Sequence, residues 1–105
     1  MSTIFLQVFV PEANRHHGKL TYEWLLDTAQ GLGIAGGSAF RALAGFGRHG
    51  RHDESFFELA GELPVVVEFF VDTAMADRLL QSITQAGLKL VYAKMYKDHP
   101  VQTVV

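Results

Sequence analysis

The segment Leu63–Val71, with the sequence LPVVVEFFV, has the strongest strand pattern in the chain. β-Branched and aromatic residues fill it, and in a strand they would point alternately to the two faces of a sheet. Glu68 is the one polar residue among them. A strand that is apolar on both faces is typical of an interior position that is covered from both sides. The segment therefore predicts a central strand.

Three other strands and two helices are predicted around this segment. The strands are Ile4–Val10 and Leu88–Tyr96, in both of which residues alternate with a period of two, and the less apolar segment Ser38–Leu43. The helices are Leu20–Leu32, for which Thr21 is the expected cap, and Thr73–Ala86, for which Asp72 is the expected cap. Residues 12–18 are expected to form a polar loop. With right-handed crossovers, the order β-α-β-β-α-β predicts a single domain over residues 1–105, of the α+β class, with a ferredoxin-like sandwich fold.

The predicted architecture leaves one face of the sheet uncovered. Two helices can cover only one face of a four-stranded sheet, whereas the first and third predicted strands are apolar on both faces. Large apolar patches mark interaction sites, and most oligomers consist of identical chains. We therefore expect a copy of the same chain to cover the second face.

Composition excludes several classes of function. The net charge is −2, so the chain lacks the overall basic field of non-specific nucleic-acid binding, and we expect no nucleic-acid partner. Because there is no cysteine, a disulfide framework and a thiolate zinc site are excluded. Residues 1–10 lack the basic start of a signal peptide, and the apolar run 64–71 is too short to span a membrane. We expect a soluble, cytoplasmic protein.

A glycine-rich basic stretch, AGFGRHGRH, occupies residues 44–52 after the second predicted strand. Glycine lets a ligand approach the main chain, and arginine binds phosphate or carboxylate. The connection from Gly45 to about Gly61 is long, and long loops in compact domains are usually functional or mobile. The stretch is therefore either a binding loop or a solvated hairpin tip. For Arg41, just before it, pairing or solvation is favoured over ligand binding.

Two motifs carry a family resemblance. Residues 33–50 are GIAGGSAFRALAGFGRHG and residues 63–72 are LPVVVEFFVD. They are similar to the patterns KGFGRQKG and LPKVKIEIVV of the nitrogen-regulatory PII proteins. They resemble more closely the DUF190 (UPF0166) family of PII-like proteins, whose pattern is of the kind GIAGATVLRGIAGFGRHG followed by LPVVVEIVD. The resemblance covers nearly the whole chain.

This resemblance implies a PII-like homotrimer whose sheets face inward and whose helices face outward. It implies a signalling protein that binds a small effector, an adenine nucleotide, in clefts between subunits. The residues that it assigns to the ligand are Gly45, Phe46, Gly47, Arg48, His49 and Arg51. Arg48 would contact phosphate. A loop over about residues 51–61 would report the bound state to a protein target, such as a membrane transporter or an enzyme.

The chain departs from the PII pattern in its basic residues. PII proteins hold phosphates with a second turn of the form TGKIGDGK, whereas Gln85–Lys89 passes here directly from helix to strand. The basic pair that follows the last PII strand has only Lys94 and Lys97 as substitutes. We therefore expect AMP or ADP rather than ATP, or else a different small metabolite.

Two alternatives to the nucleotide sensor stay open. Imidazole and carboxylate groups suit zinc, copper or nickel, so the alternative metal ligands His49, His52 and Asp53 predict a trimer similar to the CutA type. The adjacent pair His16 and His17 could meet a metal only if an irregular loop turned both inward. Alternatively, the apolar residues Phe56, Phe57 and Leu59 would make the loop of a ligand-free interaction module.

Catalysis is not expected. A general base needs a positioned partner, and His49, Asp53 and Glu54 supply the residue types. However, no nucleophile stands beside a matching base, and Ser55 lies in the long loop without a motif. We therefore expect a protein that is not an enzyme.

Overall fold

A computed structural model describes residues 3–46 and 63–96 of the chain. Its strands are β1 (Thr3–Pro11), β2 (Arg15–His16), β3 (Lys19–Leu20), β4 (Ser38–Arg41), β5 (Pro64–Asp72) and β6 (Val91–Tyr96). Its helices are α1 (Thr21–Gly31) and α2 (Thr73–Gln85). Within these ranges no helix is both long enough and apolar enough to span a membrane.

The main sheet has the strand order β4-β5-β1-β6, and every neighbouring pair is antiparallel. The central strand that the sequence predicts, β5, is interior and pairs with β1 along its full length. Both helices connect strands of this sheet, and β2 and β3 form a separate two-stranded hairpin. The predicted ferredoxin-like fold of the α+β class is therefore confirmed.

The hydrophobic core lies between one face of the sheet and the two helices. Alternate residues of the inner strands, which are almost fully buried, are Ile4, Leu6, Val8, Val10, Val65, Val67, Phe69 and Val71. The helices contribute the buried residues Leu25, Ala29, Ala76, Leu79 and Ile83. The two inner strands and both helices thus share one continuous core.

The opposite face of the sheet carries no helix among the described residues. Its apolar side chains are Phe5, Phe9, Phe40, Val66, Phe70, Val91 and Met95. Phe40 is 55% exposed and Val91 is 65% exposed. The rings of Phe5 and Phe70 lie 4.8 Å apart, so the apolar residues are in contact across the two inner strands. We call this surface the open face.

Only one of the two expected helix caps is present. The side chain of Asp72 accepts a hydrogen bond from the backbone N–H of Met75 at 2.8 Å and caps α2 as predicted. The prediction that Thr21 caps α1 is wrong, because Leu20 holds that position and no side chain caps the helix. The Thr21 hydroxyl is buried and donates to Asn14 Oδ1 at 2.9 Å. This bond ties α1 to residues 12–18, where the β2–β3 hairpin replaces the expected loop.

The two outer strands are shorter than predicted. The strand β4 ends at Arg41 rather than Leu43, and β6 begins at Val91 rather than Leu88. Gly87, at φ +78°, turns the chain after α2, and Leu88 donates its N–H to the carbonyl of Ile83 at 3.2 Å. Leu88 and Leu90 then pack against the core before pairing with β1 begins. Their apolar alternation reflects this packing and not a strand.

Gly37 gives the first testable prediction, because its backbone passes directly over the Phe69 ring. A methyl group at this position would lie 2.4 Å from Cε1 and 2.7 Å from Cδ1 of that buried ring. Overpacking of this kind costs about 1–3 kcal/mol, so we expect Gly37→Ala to lower the free energy of unfolding by that amount. The control is Gly36→Ala, because a methyl group there meets no atom within 4 Å. Equal denaturant midpoints for the two variants would contradict this packing.

Candidate functional site

The chain leaves the sheet at the end of β4 and returns to it at the start of β5. The N–H of Ala42 donates to the carbonyl of Pro64 at 3.0 Å, so the two ends of the connection lie side by side. Pro64 in turn pairs with Pro11 at the end of β1. The glycine-rich stretch over residues 44–52, which we call the binding stretch, therefore begins at the edge of the sheet where β4 ends and β5 begins.

Of the predicted ligand residues, the structure describes Gly45 and Phe46. Gly45 is half-buried, whereas Phe46 is 74% exposed. The other predicted ligand residues, Gly47, Arg48, His49 and Arg51, lie outside the described residues. The loop 51–61 and the alternative metal ligands His49, His52 and Asp53 also lie outside them. These assignments therefore stay predictions.

An ion pair joins β4 to the end of β1 at the same edge of the sheet. Arg41 donates from Nε to both carboxylate oxygens of Glu12, each at 3.0 Å, and also from Nη2 to Oε2. These hydrogen bonds, aided by the charge of the guanidinium, lower the pKa of Glu12. The expected structural pairing of Arg41 is therefore present, and it links β4 to the end of β1.

The Glu12–Arg41 pair gives a prediction about pH. Because the pKa of Glu12 is lowered, the pair contributes to stability above the ordinary glutamate value of about 4.3, and this contribution is lost as the pH falls through the lowered value. We expect an NMR titration of the Glu12 carboxyl carbon to give a pKa below the ordinary value, and Arg41→Ala to restore it. Arg78→Ala, which removes an exposed arginine from α2, is the control. A Glu12 titration that Arg41→Ala leaves unchanged would contradict the pairing.

A cavity of about 590 Å³ lies on the open face where β4 begins. Its walls are the rings of Phe40 and Phe70 and the connection before β4, and its lining residues are Ala35, Gly36, Gly37, Ser38, Phe40, Glu68 and Phe70. The two glycines leave main-chain atoms accessible at one side. We call this cavity the β4 pocket. It suits a flat, partly apolar ligand that can also form a few hydrogen bonds.

Glu68 supplies the charge of the β4 pocket. It lies opposite Gln7 in the pairing of β5 with β1, and opposite Ser38 in the pairing of β5 with β4. Gln7 Nε2 donates to Glu68 Oε2 at 2.9 Å. A carboxylate can accept several hydrogen bonds at its two oxygens, so Glu68 has further acceptor capacity beside the Ser38 hydroxyl. The pocket thus favours a ligand that donates a hydrogen bond, such as an amine.

A second cleft, of about 680 Å³, lies between α2 and β6. Lys94, in its lining, donates to Asp77 Oδ1 at 2.9 Å and to Tyr96 Oη at 3.3 Å. The bond to Asp77, followed by that to Tyr96, raises the pKa of Lys94. Lys94 therefore remains protonated, but its charge is already compensated within the chain. This weakens Lys94 as the substitute for a phosphate-binding lysine.

Sequence patterns did not indicate the residues of the β4 pocket as ligand residues. Ser38 and Glu68 are 30 positions apart and meet only through strand pairing. The one available signal was a carboxylate inside an otherwise apolar strand, since burial of an unpaired charge is costly.

Among the described residues, no group of three or more histidine, aspartate or glutamate side chains could hold a metal ion.

Comparison with known proteins finds one matching family model and relatives that are named UPF0166 proteins. The DUF190 family model, described as "Uncharacterized ACR", matches residues 3–91. A UPF0166 protein of Aquifex aeolicus is 35% identical over 79 residues, which cover 74% of this chain and 75% of the relative. A UPF0166 protein of Methanocaldococcus jannaschii is 27% identical over 63 residues, which cover 60% of this chain and 58% of the relative.

A solved structure shares the fold. It is that of CPII, a nitrogen regulatory PII-like protein from Thiomonas intermedia K12, bound to ADP, AMP and bicarbonate. The two structures superpose with a TM-score of 0.58 over 96% of this chain and 98% of that chain, at 16% sequence identity. At this identity the similarity shows that the fold is PII-like.

Proposed function

The chain belongs to the DUF190 (UPF0166) family, and from this membership we propose that it is a PII-like sensor of a small adenine-containing ligand. The observation that carries this proposal is the β4 pocket, which combines two aromatic walls with one carboxylate. An adenine ring is flat, stacks on aromatic side chains and donates hydrogen bonds from its amino group. Glu68 would accept from that amino group, and the rings of Phe40 and Phe70 would flank the base.

The phosphate end of the ligand would lie toward the continuation of β4. The binding stretch follows this strand directly, and Gly45, Gly47, Arg48, His49 and Arg51 would line it, with Phe46 beside them. Arginine suits phosphate because its planar fork can donate two hydrogen bonds at once. Arg41, which precedes this stretch in β4, does not add to its free charge, because it is bonded to Glu12. AMP or ADP, with fewer phosphates, matches this modest charge better than ATP.

Other copies of the chain would complete the ligand site. The open face exposes large apolar side chains, which association would remove from water. The β4 pocket opens on that face, so a neighbouring subunit would form its outer wall. We therefore propose a cytoplasmic homotrimer with ligand clefts between subunits. The loop over residues 51–61 would carry the signal to a protein target, such as a transporter or an enzyme, and the protein itself would not catalyse a reaction.

The nucleotide proposal is tested by thermal unfolding with a ligand panel. A ligand that binds only the folded state raises the free energy of unfolding, by about 2.7 kcal/mol at a concentration of 100 times its Kd, and so raises the melting temperature. We expect AMP or ADP to raise it by several degrees, and ATP, cyclic nucleotides and S-adenosylmethionine to raise it less. The first series contains a chelator, and a second series without chelator contains zinc or copper. No shift with any nucleotide, together with a metal shift that His49→Ala abolishes, would favour the CutA-like alternative.

Arg48→Ala tests the assignment of the phosphate-binding residue. We expect the affinity for AMP, measured by calorimetry, to fall about tenfold or more, because a charge-assisted hydrogen bond is worth about 1.5–3 kcal/mol. The mass of the assembly, measured by light scattering, should not change. Arg78→Ala, at an exposed position of α2, is the matched control and should bind AMP normally. Dissociation of the Arg48→Ala variant into monomers would instead identify Arg48 as an interface residue.

A further inference from the structure

The β2–β3 hairpin has an unusual residue in its turn. The strands pair with Arg15 opposite Leu20 and His16 opposite Lys19, so His17 and Gly18 alone form the connection. Both have positive φ, 52° at His17 and 80° at Gly18. A two-residue turn of this kind normally carries asparagine, aspartate or glycine at its first position. A residue with a larger side chain is strained there, so the imidazole of His17 is held at some conformational cost.

This turn brings two imidazole rings together. The ring centroids of His16 and His17 lie 4.2 Å apart at an interplanar angle of 61°. His16 also packs edge-on against Trp24 of α1, at 5.1 Å. The indole ring of α1 therefore supports His16, and the turn places His17 beside it.

The ring nitrogens of His16 and His17 are available to bind a ligand from solvent. Over residues 3–46 and 63–96, no protein group hydrogen-bonds the side chain of His16 or His17. His17 is exposed and His16 is half-buried, so water reaches the pair. A neutral imidazole nitrogen without a protein partner can bind a metal ion.

The separation of the rings is close to that of two ligands on one metal ion. With metal–nitrogen bonds of about 2 Å, two imidazoles at neighbouring coordination positions have centroids roughly 4.5–5 Å apart. The observed separation of 4.2 Å is slightly shorter, and a rotation of the exposed His17 ring would widen it to that range.

The surrounding charges do not oppose a cation. The hairpin carries Arg15, which donates to the carbonyl of Gly18 at 3.0 Å, and Lys19, which pairs with Asp27. Glu23 of α1 also acts on Lys19. Asp27 and Glu23 both act on Lys19, and because they equal in number the two cations of the hairpin, these four side chains carry no net charge.

We propose that His16 and His17 form a two-ligand surface site for a borderline divalent metal ion. Copper(II) is the preferred ion, because affinity for a given nitrogen site rises along the first transition row to copper and then falls at zinc. Water fills the remaining coordination positions, so the ion exchanges readily, unlike the ion of a four-ligand structural site. This site is separate from the β4 pocket and does not depend on the proposed nucleotide function.

The only tryptophan of the chain, Trp24, reports on this site. Copper(II) quenches indole fluorescence at short range, and Trp24 contacts His16. We expect copper(II) chloride, added to the full chain in a non-coordinating buffer, to quench this fluorescence to saturation at one equivalent per chain. A chelator should restore it.

The variants separate this site from other histidines. His17→Asn should raise the copper midpoint about tenfold or more, since even a supporting residue of a metal ligand contributes about 10–100-fold. Asparagine suits the positive φ, so this variant should unfold no earlier than the wild type. The triple variant His49→Asn/His52→Asn/His99→Asn retains only the pair and should quench as the wild type does. Absence of quenching, an unchanged midpoint in His17→Asn, or loss of quenching in the triple variant overturns the proposal.

Discussion

Two helices have to cover a sheet whose two inner strands are apolar on both faces, and they can cover only one. The core side of β1 and β5 is almost completely buried beneath α1 and α2. The other side presents phenylalanine and valine side chains that no described element covers. The apolar residues that build the core on one face of the sheet are matched by apolar residues exposed on the other face. Assembly and ligand binding are proposed on that exposed face.

The open face has few polar side chains, and three of them lie opposite one another on neighbouring strands. Gln7 and Glu68 pair at the middle of the two inner strands, and Ser38 lies across from Glu68 on β4. An isolated carboxylate is costly in such a setting, so its hydrogen bond to Gln7 and its position beside a cavity have a common physical basis. The bond from Gln7 offsets part of the cost of the Glu68 carboxylate, and the remaining lone pairs of Glu68 could accept from a ligand in the pocket.

The glycine-rich connection before β4, which contains Gly36 and Gly37, contacts both the core side and the open face of the sheet. On the core side, Gly37 has no space for a methyl group because the Phe69 ring lies against it. On the open side, Gly36 and Gly37 leave main-chain atoms accessible in the pocket. Part of the family motif therefore reflects packing, while the later part, from Gly45 onward, was assigned to the ligand.

Much of the fold was predictable because it depends on local patterns. The period of two in β1 and β5 and the turn at Gly87 follow from short-range backbone sterics. The cap at Asp72 is a hydrogen bond between residues three positions apart. The expected cap at Thr21 and the expected strand at Leu88 were wrong for one reason. Thr21 bonds Asn14, and Leu88 packs on the core, so a tertiary contact replaced the local preference in each case.

The sequence alone determined the order of the two helices and the four strands of the main sheet, the interior position of β5, the family and the uncovered second face, since each depends on periodicity or on a contiguous motif. Only the tertiary structure decided that Arg41 bonds Glu12, that Ser38 and Glu68 share a pocket, and that the rings of His16 and His17 meet beside Trp24. Those contacts depend on strand register, on a two-residue turn and on packing between elements. Such partners are chosen by the whole fold and leave no repeat in the sequence.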